Sequence, residues 1–113
     1  MALTEAYANA ATVSTTEYSL PNNSVTLTPI TAVGIFQLFL DLNALTATES
    51  YVLKLYETVN GNKRLIQAPT IVGPLGTPLY VTPALALMNG WDMTLMKLKG
   101  TDRAVAWSIR QVA

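Results

Sequence analysis

Hydrophobic and polar positions alternate in two runs between Trp91 and Val112, separated by the turn-rich Lys99-Gly100-Thr101-Asp102. In the first run Trp91, Met93 and Leu95 fall on one side. In the second Val105, Trp107 and Ile109 do so, with Ala104, Ala106, Ser108 and Arg110 on the other. Successive side chains in a strand point to opposite faces, so both runs predict half-buried strands. A loop with an odd number of residues places the two apolar sets on one face of a hairpin. A two-residue Gly100-Thr101 loop would instead set Trp107 opposite Thr94. The odd loop is therefore expected, and a hairpin face carrying two tryptophans needs a second sheet to bury it.

The same patterning extends upstream. In Ile35–Leu42 the even positions Phe36, Leu38, Leu40 and Leu42 are all apolar, and so are two of the odd ones. That predicts a central strand. Asn60-Gly61 is the favoured pair for a type I′ turn, in which both central residues need positive φ. A hairpin of Tyr51–Asn60 with Asn62–Thr70 follows. Its register sets Glu57 opposite Arg64, Leu55 opposite Ile66 and Leu53 opposite Ala68 on one face, and Thr58 opposite Lys63 and Lys54 opposite Gln67 on the other. The β-branched and aromatic content of Thr12–Leu20 predicts a first strand. Pro21-Asn22-Asn23-Ser24 is a turn, and Val25–Thr28 a short strand ending at Pro29. Asn43–Ser50 is a polar loop and Gly73–Pro78 a connection. Leu79–Thr82 lies between Pro78 and Pro83, and proline lacks the ladder donor, so it belongs at a sheet edge. Asn89-Gly90 turns the chain into Trp91.

Residues 1–11 are Ala-rich and weakly amphipathic, too short for a helix without a partner. They are expected to be an N-terminal arm, either loose or ordered against a neighbouring subunit, with residues 12–113 as one domain. About eight strands joined by short turns, with no helical pattern, predict an all-β antiparallel sandwich, jelly-roll-like in topology.

Composition narrows the function. Of 113 residues half are hydrophobic and 12% charged, with seven basic side chains balancing seven acidic ones. Such a chain has little long-range field to steer it onto nucleic acid or an anionic membrane. Low charge also suggests that part of the surface is covered in use. Cysteine and histidine are absent, which removes disulfides, Cys/His zinc sites, thiol catalysis and any Ser-His-Asp arrangement. The first twenty residues have no basic segment followed by an apolar one, so no signal peptide is read. The apolar run Ile30–Leu42 is too short to span a bilayer. A soluble protein made in the cytoplasm is expected, and Asn22-Asn23-Ser24 is then a chance glycosylation match.

Candidate chemistry is sparse. The carboxylates are Glu5, Glu17, Asp41, Glu49, Glu57, Asp92 and Asp102. A glycosidase pair needs two of them facing across a cleft, and Asp41 with Asp92 is the one pair that neighbouring strands could bring together. A calcium loop needs clustered oxygens that the chain does not offer. Gly73 and Gly76 belong to turns rather than to a phosphate loop, because no strand-to-helix step or lysine follows them. Tyr51, Tyr56, Tyr80, Trp91 and Trp107 could stack sugar rings, but tryptophans in alternating strands are more simply core. Lys97, Lys99, Arg103 and Arg110 read as a solvated edge rather than a nucleic-acid groove. The expectation is no enzyme, no metal and no cofactor.

Three stretches suggest a setting. P-L-Y-V-T-P (78–83) with N-G-W-D-M-T-L-M-K-L-K-G-T-D-R-A-V-A-W-S-I-R-Q-V (89–112), preceded by Y-E-T-V-N-G-N-K-R-L (56–65), resembles small β-rich virion proteins of tailed bacteriophages. The resemblance covers residues 51–113. It implies a head decoration or cement protein, a β-sandwich or β-tulip, commonly trimeric, that sits on the capsid surface and clamps adjacent major-capsid subunits. Residues 1–16 would then reach a neighbouring subunit. Other virion roles fit the same setting: a carbohydrate- or receptor-binding module, or a head–tail connector or tail component.

Overall fold

A computed structural model describes residues 3–73 and 78–112. Among the described residues the chain forms ten strands and no helix. They are β1 (Thr4–Val13), β2 (Tyr18–Ser19), β3 (Gly34–Asp41), β4 (Ser50–Val59), β5 (Asn62–Gln67), β6 (Thr70–Val72), β7 (Leu79–Val81), β8 (Leu85–Leu87), β9 (Trp91–Lys99) and β10 (Arg103–Gln111). Two five-stranded antiparallel sheets result. The first runs β1-β10-β3-β7, with β8 also paired to β3. The second runs β2-β9-β4-β5, with β6 also paired to β4. The fold is an all-β sandwich.

Period-2 patterning explains the core. Phe36, Leu38, Leu40, Val105, Trp107 and Ile109 of the first sheet are buried with Tyr51, Leu53, Leu55, Trp91, Met93 and Leu95 of the second. Trp91 packs across the gap against Phe36 and Tyr7, at ring separations of 4.7 and 5.9 Å, and Trp107 meets Tyr18 edge-on at 5.9 Å. The Trp91 indole N–H donates to Ala32 O at 2.9 Å, satisfying the polar end of a fully buried ring.

The terminal hairpin expected from sequence does not form. The apolar faces are as predicted, but β9 pairs with β2 and β4 whereas β10 pairs with β1 and β3. The turn at Gly100 carries the chain from one sheet to the other, so the two tryptophan-bearing faces oppose each other instead of lying side by side. Alternation reports only which residues face the core, and an arch between sheets satisfies it as well as a hairpin does. Gly100 has φ +93, and a Cβ there would lie 2.3 Å from Thr48 O, so the arch needs glycine.

The Asn60-Gly61 hairpin forms as expected, with both turn residues at positive φ and Glu57 opposite Arg64, Thr58 opposite Lys63. Beyond Tyr56 the register differs. A bulge between Leu55 and Tyr56 pairs Leu55 with Gln67 rather than Ile66, and Leu53 N–H donates to Pro69 O at 3.0 Å instead of facing Ala68. Pro69 has no ladder donor and separates β5 from β6. All of β5 is exposed, so the predicted apolar stack of that face is absent. Glu57 bonds to the Met88 and Asn89 N–H groups at 2.8 and 3.3 Å, holding the turn before β9.

Three further expectations are corrected. Residues 4–11 are not a separate arm: they belong to β1, which pairs along its length with β10. The predicted strand Thr12–Leu20 is split, because Val13 ends β1 in one sheet while Tyr18-Ser19 pair with Leu95 and Thr94 in the other. Val25–Thr28 forms no strand. Val25 and Leu27 are exposed, and this stretch is tied by isolated bridges at its ends, Ser19 to Ser24 and Ile30 to Trp91, and by Asn22 Nδ2 donating to Thr28 O at 2.7 Å. Central β3 and edge β7 are where the pattern puts them. Of the Gly73–Pro78 connection, residues 74–77 lie outside the described residues.

Candidate assembly surface

Two clusters of buried polar side chains stand out, and most of their hydrogen bonds go to the fold itself. Glu49 is buried at the Gly100 arch, where it accepts from Thr46 N–H at 2.7 Å, from the Thr46 and Thr48 hydroxyls and from Arg103 Nη2 at 3.3 Å, with Arg103 Nε in ion-pair contact at 3.0 Å. The Thr48 hydroxyl and the Arg103 guanidinium hold its carboxyl well below the usual carboxylate range. Beside it the buried Tyr51 hydroxyl donates to Val13 O at 2.8 Å and accepts from Arg103 N–H at 2.9 Å, joining the two sheets. Lys97 pairs with Asp102 across the same arch.

A second cluster lies on the outer face of the second sheet. Asp92 is buried and its Oδ1 accepts from Ser19 Oγ (2.7 Å) and Met93 N–H (2.8 Å), while Oδ2 has no hydrogen-bond partner among the described residues. Burial pushes the Asp92 carboxyl above its ordinary range, against those two bonds. Glu17 Oε2 accepts from Tyr56 OH at 3.0 Å and from Thr94 Oγ1 at 2.5 Å. Burial and the Glu17 bond push the Tyr56 phenol up to about 12. Lys63 lies 4.5 Å over the Tyr56 ring.

The candidate pair Asp41 and Asp92 is divided between the two sheets. Asp41 is exposed on β3 of the first sheet and caps Asn43 N–H at 3.0 Å, while Asp92 is on β9 of the other. Among the described residues no three carboxylates gather for a metal. Tyr51, Trp91 and Trp107 are core, leaving Tyr56 and Tyr80 half-buried on different sheets, so the five aromatics make no row. Lys97 and Lys99 lie on one sheet and Arg103 and Arg110 on the other.

What remains distinctive is the outer face of the first sheet. Ala8, Ala10 and Thr12 of β1, Ala104, Ala106, Ser108 and Arg110 of β10, and Ile35, Phe39 and Asp41 of β3 share it by register, continued by Leu79 and Val81 of β7. Leu79 is 51% and Val81 41% exposed, so the face presents apolar surface to solvent. A shallow depression of about 200 Å³ is lined by Phe39, Asp41, Leu79, Ala106, Ser108 and Arg110. The Arg110 guanidinium lies 4.0 Å over the Phe39 ring, and Ser108 Oγ donates to Glu5 at 2.5 Å. A signal for this face was present in the sequence: Ile35 and Phe39, the two apolar odd positions of central strand β3, point outward. Comparison of the chain with protein-family models, with curated proteins and with solved structures finds no match.

Proposed function

We propose that this protein is a non-enzymatic virion structural protein of a tailed bacteriophage, a decoration or cement protein on the capsid surface that clamps neighbouring major-capsid subunits. The observation that carries the reading is the exposed small-residue and apolar outer face of the first sheet. Flat apolar surface rimmed by a few polar groups suits docking to another protein. The motif resemblance of residues 51–113 supplies the virion setting. Each contact on a symmetric lattice is weak alone, and its repetition, together with self-association, raises occupancy beyond that of one interface.

The test is co-sedimentation of the purified protein with expanded capsids of the phage that encodes it, alongside a Leu79→Lys/Val81→Lys variant. Saturable binding by the natural protein, lost in the variant, is expected. Absence of binding to capsids, or binding insensitive to these substitutions, refutes the docking face. Binding to tails or to glycans instead moves the protein to the connector or receptor-binding role.

A further inference from the structure

Sheet edges expose unpaired backbone groups, and folded proteins guard them with short strands, proline or lysine. Among the described residues, most edges here are guarded. In the first sheet β7 and β8 have three residues each, β7 lying between Pro78 and Pro83. In the second, β2 has two residues, β6 three, and β5 carries Lys63 and Arg64. The exception is β1, which has one ladder neighbour, β10. It is ten residues long, contains no proline, lysine or arginine, and is uncharged after Glu5.

One contact gives the direction of the backbone groups that β10 leaves unused. Ala10 N–H bonds to the side-chain oxygen of Asn9 at 2.9 Å, so it points away from β10. Peptide groups alternate sides along an antiparallel strand, so Ala8, Ala10 and Thr12 all present theirs outward. We infer that β1 is a self-pairing interface, through which two copies of this chain join antiparallel about a twofold axis to make one continuous sheet.

A second copy is the occupant that fits. Antiparallel pairing of identical strands is self-complementary, with each residue facing its mirror position about the axis. Centred on Ala10, the pair sets Ala8 opposite Thr12 of the other copy and Ala10 opposite itself. The small outer side chains leave the sheets free to align. The single charge of β1, Glu5, lies five residues from that axis, so the two Glu5 side chains stand ~33 Å apart at about 3.3 Å per residue. No like charges meet. Pairing also makes the apolar outer face continuous across both copies. The symmetry is twofold, in place of the threefold that the motif resemblance implies, and the inference does not depend on the capsid reading: a dimer that ignores capsids keeps the one and sinks the other.

The experiment is absolute mass by light scattering, on the natural chain and on Ala10→Pro and Ala10→Lys. Proline at position 10 removes a donor that β10 does not use, and lysine there guards the edge, so both variants keep the sandwich. Circular dichroism checks that they do; if the proline variant fails to fold, the lysine variant decides. The expected result is twice the 12.2 kDa chain mass for the natural protein and a twofold drop for the folded variants. A natural chain that is monomeric up to its solubility limit, or trimeric, overturns the inference. So does a dimer that persists in both variants.

Discussion

Tyr51 is a single side chain that holds the two sheets in register, and its hydroxyl can be removed without disturbing the ring. In Tyr51→Phe the Val13 carbonyl loses a donor at 2.8 Å and the Arg103 N–H an acceptor at 2.9 Å, in a site where Val13 and Tyr51 are fully buried. Each buried group left without a partner costs about 1–3 kcal/mol. The carbonyl keeps a second lone pair, so a combined loss of about 3 kcal/mol is expected. With a typical slope of about 1.5 kcal/mol per molar urea the midpoint falls by about 2 M. For a domain of this size the melting temperature falls by about 12 °C, at about 4 °C per kcal/mol. Urea unfolding followed by tryptophan fluorescence reads this directly, since Trp91 and Trp107 both lie in the core. An unchanged slope is required for the comparison to be of stability alone.

The same residue carries an alkaline signature. Burial raises the Tyr51 phenol above its ordinary value of 10.0. Its contribution is therefore present below that value and lost as pH rises through the folded pKa. Tyr51→Phe is expected to lack that share of the alkaline loss. A midpoint shift equivalent to less than about 0.5 kcal/mol, within the range of neutral surface changes, would refute the claim that this hydroxyl ties the sheets.

Asp92→Asn keeps the Oδ1 acceptor for Ser19 and Met93 while removing a buried charge. Because the folded carboxyl titrates above its ordinary 3.8, its contribution is lost as pH rises through the folded pKa, and the variant should gain on the natural protein from acid to neutral pH. Urea midpoints at the two pH values check the sign. Leu40→Ala, at a fully buried central position, should cost about 2–5 kcal/mol by transfer and cavity terms, measured by the same unfolding curves. Gly100→Ala forces a Cβ against the Thr48 carbonyl at positive φ and should lower the melting temperature by several degrees, by about 4 °C for each kcal/mol of strain. Spectrophotometric titration should find Tyr56 ionising near 12, and Glu17→Gln should bring it down, since the carboxylate charge that opposes phenolate formation is gone.

Local chemistry in the chain was enough to determine which residues face inward and where several turns fall. Alternation named Phe36, Leu38 and Leu40, Trp91, Met93 and Leu95, and Val105, Trp107 and Ile109 as core, because burial on one side of a pleated strand leaves a period of two. Asn60-Gly61 determined its own hairpin, since the turn's positive φ values are a property of those two residues. Partner choice was different. Whether β9 lies beside β10 or across from it depends on which strands occupy their lateral edges, and β2 and β4, β1 and β3 take those places through contacts far apart in sequence. The Leu55 bulge arises where β4 must serve β5, β6 and β9 at once. Residues 4–11, too weakly patterned to predict a strand, are ordered by the edge of β10. Their alanines gain nothing by themselves; the open ladder of the C-terminal strand makes them part of the sheet, and at the same time leaves their far side as its unguarded edge.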